Sequence, residues 1–335
     1  MRSLNSIFAA AALAAATLLA TSTNAHAQQT WQATLGAESK DMGRQAMAFL
    51  PNEMWIHEGD MINWTSQTDE IHTVSFLVLG EIVLPFTKGC PTGYSASGMS
   101  FDGVNCLSAA PFVKGQSFAV KFPISGNFSL LCLVHNHMTG VVHVMPKSSP
   151  LPHDQAYYNA LAIEQTHKLL SDTDHEMDHD KMALMLSTRV LRGKNSVVAG
   201  IGEMNSTAAG FQSLSIMRFL KDKIEVHVGD TVEWSVLDPA EPHTITFGTE
   251  PMNVGPPSGN VSFDKDGAGH AMLHFVGESV HSGVMAPAPQ NRVGLPQIKP
   301  AYRMFRVTFL HAGSYDYICA LHDNLGMVAN VTVLP

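Results

Sequence analysis

Two short runs of this chain carry a thiol and an imidazole three positions apart: Cys132-Leu133-Val134-His135 and Cys319-Ala320-Leu321-His322. Each follows a Gly-led strand-like segment, from Gly126 to Leu131 and from Gly313 to Ile318. Each has an upstream partner, Glu70-Ile71-His72-Thr73 in one case and Glu241-Pro242-His243-Thr244 in the other. A methionine follows each second histidine, at Met138 and Met327. Two imidazoles, one thiolate and a weak axial thioether are the donors that hold a redox copper in trigonal geometry. The sulfur must be a thiolate, and a bound cation supplies the field that deprotonates it. The imidazoles must be neutral, so binding releases protons and weakens in acid. One Cys-x-x-His pair would carry little weight. Two, each with a matched upstream histidine and a downstream methionine, are poorly explained by coincidence.

Such donors come from distant points of a chain, so something must position them. A second repeat shows what. Ile56-His57-Glu58-Gly59-Asp60 before Trp64 matches Val226-His227-Val228-Gly229-Asp230 before Trp234, and Phe49-Leu50 matches Phe219-Leu220. Strand, Gly-Asp turn and strand fit both copies. Segments such as Ser117 to Phe122 and Phe305 to Phe309 alternate as half-buried strands do. A period of about 170 residues is too long for a solenoid and reads as tandem domains. Many short strands with Gly, Pro and Asn between them predict an all-β chain of two tandem β-sandwiches. Between the copies the pattern becomes helical over Asp154 to Leu170, with a second helical stretch over Lys181 to Leu191. The expected organisation is 1–27 leader, 28–149 first domain, 150–195 helical linker and 196–335 second domain. The linker packs between the sandwiches or lies along one of them. The copies differ most between the first histidine and the cysteine, where the second carries a Gly/Pro-rich insertion from about Gly248 to Pro300.

The chain has 335 residues and a formal net charge of −9, and no basic patch that would suit nucleic acid. Arg2, the apolar run from Ile7 to Ala20 and Ala25-His26-Ala27 read as a secretory signal cleaved before Gln28. The run is shorter than the ~20 residues of a spanning helix, so the mature chain is not expected to insert in a membrane. Export, here to the periplasm, puts thiols in an oxidising compartment. Cys90 and Cys106 lie outside the two motifs in one Gly/Ser-rich loop, where they either pair or form a further metal site. A loop of about 15 residues closed by a disulfide is worth ~3 kcal/mol in the chain-entropy model.

With these residues in view, the chain resembles the cupredoxin family over nearly all of its length outside the leader, linker and insertions. Cys319-x-x-His322-x-x-x-x-Met327 is similar in spacing to the ligand loop of plastocyanin, and Cys132-x-x-His135-x-x-Met138 to that of amicyanin. The resemblance implies two Greek-key cupredoxin sandwiches with a type 1 copper in each. The first would be held by His72, Cys132, His135 and Met138, the second by His243, Cys319, His322 and Met327. Asn136-His137 departs from the amicyanin pattern and puts His137 in play as a surface ligand or a modifier of the first site. The activity implied is electron transfer between a protein donor and acceptor, with the cysteine sulfur as the route and His135 or His322 as the exposed exit edge. Unequal loops would give unequal potentials and directional movement between the domains.

Other readings stay open. Two-domain cupredoxins include nitrite reductases and laccase-like oxidases, whose trimers leave a homo-oligomer open for this chain, and which need more copper held by histidine pairs. Here His135-Asn136-His137 is the one His-x-His of that type, and Leu131 and Ile318 stand where a linking histidine would adjoin each cysteine. Copper storage or delivery is suggested by 18 methionines and by His175 and His179 in an acidic stretch, although methionine is also a flexible core filler. His57 and His227 are expected at surface or edge positions, and His270, His274 and His281 either in a solvated loop or as an extra metal site.

Overall fold

The computed structural model describes residues 27–78, 89–135, 137–171, 194–286 and 303–335. The leader, most of the acidic linker with its second helical stretch, and the end of the insertion lie outside these residues. Alternating apolar positions become strands with one face in a core. In β4 (Met61–Ser66) Ile62 and Trp64 point inward and their neighbours stay half-exposed; in β13 (Thr231–Leu237) Val232, Trp234 and Val236 do the same.

The first domain contains β1 (Thr30–Glu38), β2 (Arg44–Leu50), β3 (Glu53–His57), β4, β5 (Ser75–Phe76), β6 (Leu107–Ser108), β7 (Ser117–Lys121), β8 (Gly126–Leu131) and β9 (Thr139–Met145). One layer runs β2-β1-β4-β7 and the other β3-β9-β8-β5-β6, with β1 parallel to β4 and β3 parallel to β9. The core between them holds Trp31, Phe49, Trp64, Phe76 and Phe122 together with Cys132 and Met138. Helix α1 (Gln155–Ser171) follows, begun by Asp154, whose Oδ1 accepts from the Tyr157 amide at 2.9 Å. It lies along the outer face of the first domain. Tyr158 is buried there with its hydroxyl on both backbone groups of Trp55, and Leu169 packs on Ala46, Ala48 and Leu50. β2 is therefore covered on both faces.

The second domain repeats the plan with β10 (Ser196–Thr207), β11 (Gly210–Leu220), β12 (Lys223–His227), β13, β14 (Thr246–Phe247), β15 (Ser262–Phe263), β16 (Gly269–Leu273), β17 (Val280–His281), β18 (Met304–Phe309), β19 (Gly313–Ile318) and β20 (Val328–Leu334). Short parts of the insertion add strands: β16 extends one sheet beside β18, and β17 extends the other beside β14. Cys90 and Cys106 form a disulfide. Among the described residues no helix is long and apolar enough to cross a membrane.

β2 pairs antiparallel with β11, which fuses a layer of each domain into one 10-stranded sheet. Gln45 faces Ser215, while Arg44 faces Ile216 and Ala46 faces Leu214. Counted from the matched Phe49-Leu50 and Phe219-Leu220, Gln45 and Ser215 are equivalent positions. The contact is self-complementary, like that of a two-fold dimer. It also removes two edge strands that would otherwise be open to intermolecular pairing.

Candidate metal centres

In each domain the cysteine directly follows a strand and the methionine directly precedes the next. Cys132 lies between β8 and β9, and its amide donates to Met138 O at 2.9 Å; the Met138 amide donates back to His135 O at 2.9 Å. Cys319 repeats this with Met327 O at 3.0 Å. The extra residues of the second loop form a 3-10 turn, Asp323–Leu325, closed by Gly326 at φ 87°. The first histidine comes from the segment that leads into the neighbouring strand of the same sheet, β5 beside β8 and β14 beside β19. His72 is bridged through its backbone to Phe112, and His243 to Met285.

The two donor sets have nearly the same geometry. In the first, His72 Nδ1 and His135 Nδ1 are 2.9 Å apart, and Cys132 Sγ lies 3.9 and 3.7 Å from them. In the second, His243 Nδ1 and His322 Nδ1 are 3.2 Å apart, and Cys319 Sγ lies 3.9 and 3.5 Å from them. Each sulfur accepts from the amide of the residue after the first histidine, Thr73 or Thr244, at 3.3 Å. That threonine's hydroxyl in turn accepts from the amide after the cysteine, Leu133 or Ala320, at 2.7 Å. All eight candidate side chains are buried, with Met138 and Met327 in the same cores as the cysteines. Two imidazole nitrogens this close in a buried pocket beside a sulfur can share a proton or converge on a cation. This donor set suits copper. Burial alone would push both thiols up, but the adjacent imidazoles outweigh it and hold Cys132 and Cys319 well below the ordinary thiol range. Among the described residues these are the two clusters of three or more metal-binding side chains.

A glycine in a β-bulge backs each first histidine. Gly36 at φ 64° and Gly200 at φ 73° sit where the pairing of β1 with β2, and of β10 with β11, slips by a residue. A Cβ on Gly36 would lie 2.7 Å from His72 Nε2, and one on Gly200 1.9 Å from His243 Nε2. Behind the glycines the domains differ. Asp238 Oδ2 is 3.6 Å from His243 Nε2, and Ser215 Oγ and the amides of Ala240 and Glu241 hold its other oxygen. Burial works against charge on His243, yet Asp238 and Cys319 raise its pKa to about 10. The equivalent of Asp238 is uncharged Thr68, and burial lowers the pKa of His72.

The expected exposed histidine edge is absent. His135 and His322 are 1% and 3% exposed, because the ligand loops of the two domains face each other. His135 Nε2 lies 3.4 Å from Glu70 Oε1 and 3.3 Å from Glu241 Oε1, and His322 Nε2 lies 3.9 Å from Glu70 Oε2. Burial favours the neutral acid in both, but His135 and His322 hold Glu70 down at about 2, while Glu241 is pushed well above the carboxylate range. Glu70, Glu241 and His322 also line a groove together with Ile71, Val134, Pro242 and Leu321.

The sequence by itself assigns no role to Gly36, Gly200, Thr73, Thr244, Glu70, Glu241 and Asp238. A Glu-x-His-Thr run repeated at the same place in both copies was a usable signal for four of them, as was an isolated glycine within a strand for two. Asp238 carries no such signal. His137 does not join a metal cluster: it is half-buried, its ring 6.4 Å from that of Phe211 in the other domain. His57 lies on the edge strand β3 but is buried there, its Nε2 2.8 Å from Ser149 O, because the segment after β9 closes over that edge. His227 is exposed. His270 sits on a strand, bonded to Asp264 and Thr308, and His281 is buried against Thr246 and Val254. Of these three, His274 is the one exposed as expected. His175 and His179, and Asn136, lie outside the described residues.

The family model for copper binding proteins of the plastocyanin/azurin family matches residues 37–145 and 205–334. Among solved structures, amicyanin from Paracoccus versutus is similar at 21% identity, covering 35% of this chain and 81% of its own, with a TM-score of 0.23. A reduced Cu(I) form at pH 4 of an amicyanin mutant is similar at 20% identity, covering 35% and 82%, with a TM-score of 0.24. No curated protein sequence matches the chain.

Proposed function

Starting from the fact that the chain belongs to the plastocyanin/azurin family of copper-binding proteins, we propose that it is an exported electron carrier with two type 1 copper centres. His72, Cys132, His135 and Met138 would hold one ion, and His243, Cys319, His322 and Met327 the other. The observation that carries the reading is the near-identity of two buried His-Cys-His sets whose nitrogens already converge. Bound copper supplies a one-electron Cu(II)/Cu(I) couple. The chain's part is to hold the donors in place beforehand. The Thr73 and Thr244 amides fix each sulfur, the paired loops fix each second histidine, and the surrounding core excludes water. A site that moves little between two charge states exchanges electrons with little reorganisation.

Location in the periplasm is supported by the leader-like N-terminus and by the Cys90–Cys106 disulfide, which suits an oxidising compartment. The partners in this reading are a protein donor and a protein acceptor. Copper titration followed by visible spectroscopy tests it. Saturation at two ions per chain should bring intense thiolate-to-copper bands, with one contribution lost in Cys132→Ser and the other in Cys319→Ser. Additional copper together with turnover of oxygen or nitrite would favour a multicopper enzyme instead. Ready surrender of Cu(I) to a chelator would favour storage or delivery.

A further inference from the structure

Four polar side-chain ends meet between the two centres and serve neither centre taken alone. His135 turns Nε2, the nitrogen away from its donor atom, toward Glu70 Oε1 at 3.4 Å and Glu241 Oε1 at 3.3 Å. The other oxygen of Glu70 is 3.9 Å from Nε2 of His322. One carboxylate thus spans the outer edges of a donor imidazole from each domain. The glutamates are 7% and 2% exposed, so the cluster has little contact with bulk water. A charge there is costly unless donors surround it. The imidazole nitrogens on either side, at 3.4 and 3.9 Å from Glu70, stand at ion-pair rather than hydrogen-bond distance. Neither imidazole reaches the surface, as an independent carrier's exit edge would.

We propose that Glu70 bridges the two centres for electron exchange inside one molecule, which makes the protein a two-site relay rather than a pair of independent carriers. This rests on the reading that both centres hold redox copper. The route runs from Cys319 and His322 through Glu70 to His135 and Cys132. In one step a single electron leaves one centre and arrives at the other, which oxidises the first and reduces the second by the same amount. No bond forms or breaks, and no proton leaves the bridge. Glu70 acts as a positioning residue that joins two imidazoles, and Glu241 closes the cluster beside it.

The test uses the copper-loaded full chain, reduced at one centre by a brief pulse of radiolytic electrons while both absorption bands are followed. The bridge requires a redistribution phase whose rate is independent of protein concentration. In the fully oxidised protein it also requires magnetic dipolar broadening of the Cu(II) resonance that disappears in Cys132→Ser. Glu70→Ala should slow the redistribution by about tenfold, equivalent to about 1.4 kcal/mol of barrier, with both visible bands and the broadening retained. Glu70→Gln, which keeps the volume and one acceptor oxygen, should slow it less, and it carries the comparison if the alanine variant loses a centre. A rate proportional to protein concentration, or one unchanged in both variants, overturns the bridge and leaves two redox centres standing. Absence of thiolate bands and of any redox couple in the unaltered protein overturns the two-copper reading itself.

Discussion

At the scale of single residues, a missing methyl group decides whether His243 can sit where it does. The space behind its ring is the space a Cβ on Gly200 would occupy, and φ 73° at that position is strained for any other residue. Gly200→Ala should therefore push the ring off its position and abolish copper uptake at the second centre, leaving one ion per chain by metal analysis. Asp238 acts on the same ring through charge. A buried carboxylate favours the more positive oxidised ion over the reduced one, so it lowers the potential of the centre beside it. Thr68 brings no such charge to the first centre. Asp238→Asn should raise the second potential by about 60 mV, a tenfold change in a one-electron equilibrium, and leave the first unchanged. Spectroelectrochemical titration of the two bands checks both halves of that statement.

At the scale of elements, the hairpins that open each domain do their work on the other domain. The tip between β1 and β2 reaches the second ligand loop: Arg218 donates to Asp41 O at 2.6 Å and to Leu325 O at 2.7 Å, and Leu325 and Met42 belong to the core of the first domain. The tip between β10 and β11 reaches the first ligand loop, where the Phe211 amide donates to Thr139 Oγ1 at 2.8 Å and Thr207 Oγ1 accepts from Asn52 at 2.7 Å. Each metal-binding loop is thus braced by a strand pair from its neighbour. Arg218→Ala removes charge-assisted hydrogen bonds worth about 2 kcal/mol. Loss of copper to a chelator should speed up at the second centre more than at the first, measured by the decay of the two bands.

At the scale of the whole molecule, the fused sheet, the crossed hairpins and the shared core tie the two domains together. Met217 and Leu325 from the second half are buried in the core of the first. Helix α1 touches β1, β2 and β11, so it covers the seam as well as the first domain. A chain of two ordinary domains would unfold in two steps. This one should unfold in a single calorimetric transition that includes both centres. Two separated transitions for the metal-free protein would show that the seam does not couple them.

Much of this was legible in the residues. Ligand chemistry needs particular atoms, so His72, Cys132, His135, His243, Cys319 and His322 declare themselves by type and spacing, and duplication removes the ambiguity of a single motif. Strand alternation around Trp64 and Trp234 identified the sandwiches for the same reason: a half-buried strand needs period two. The helix over Gln155–Ser171 falls where the spacing predicted one. What the residues could not reveal was the relation between the copies. β2 reads as an ordinary strand whether its open edge faces water or β11, because backbone pairing depends on no particular side chain. Burial of His135 and His322 follows from that pairing, since joining the sheets turns the two ligand loops toward one another. The placement of Glu70 and Glu241 between them follows as well. A carboxylate's partner can lie anywhere in the chain, and only the folded arrangement of both domains decided that these two would meet the imidazoles of both centres.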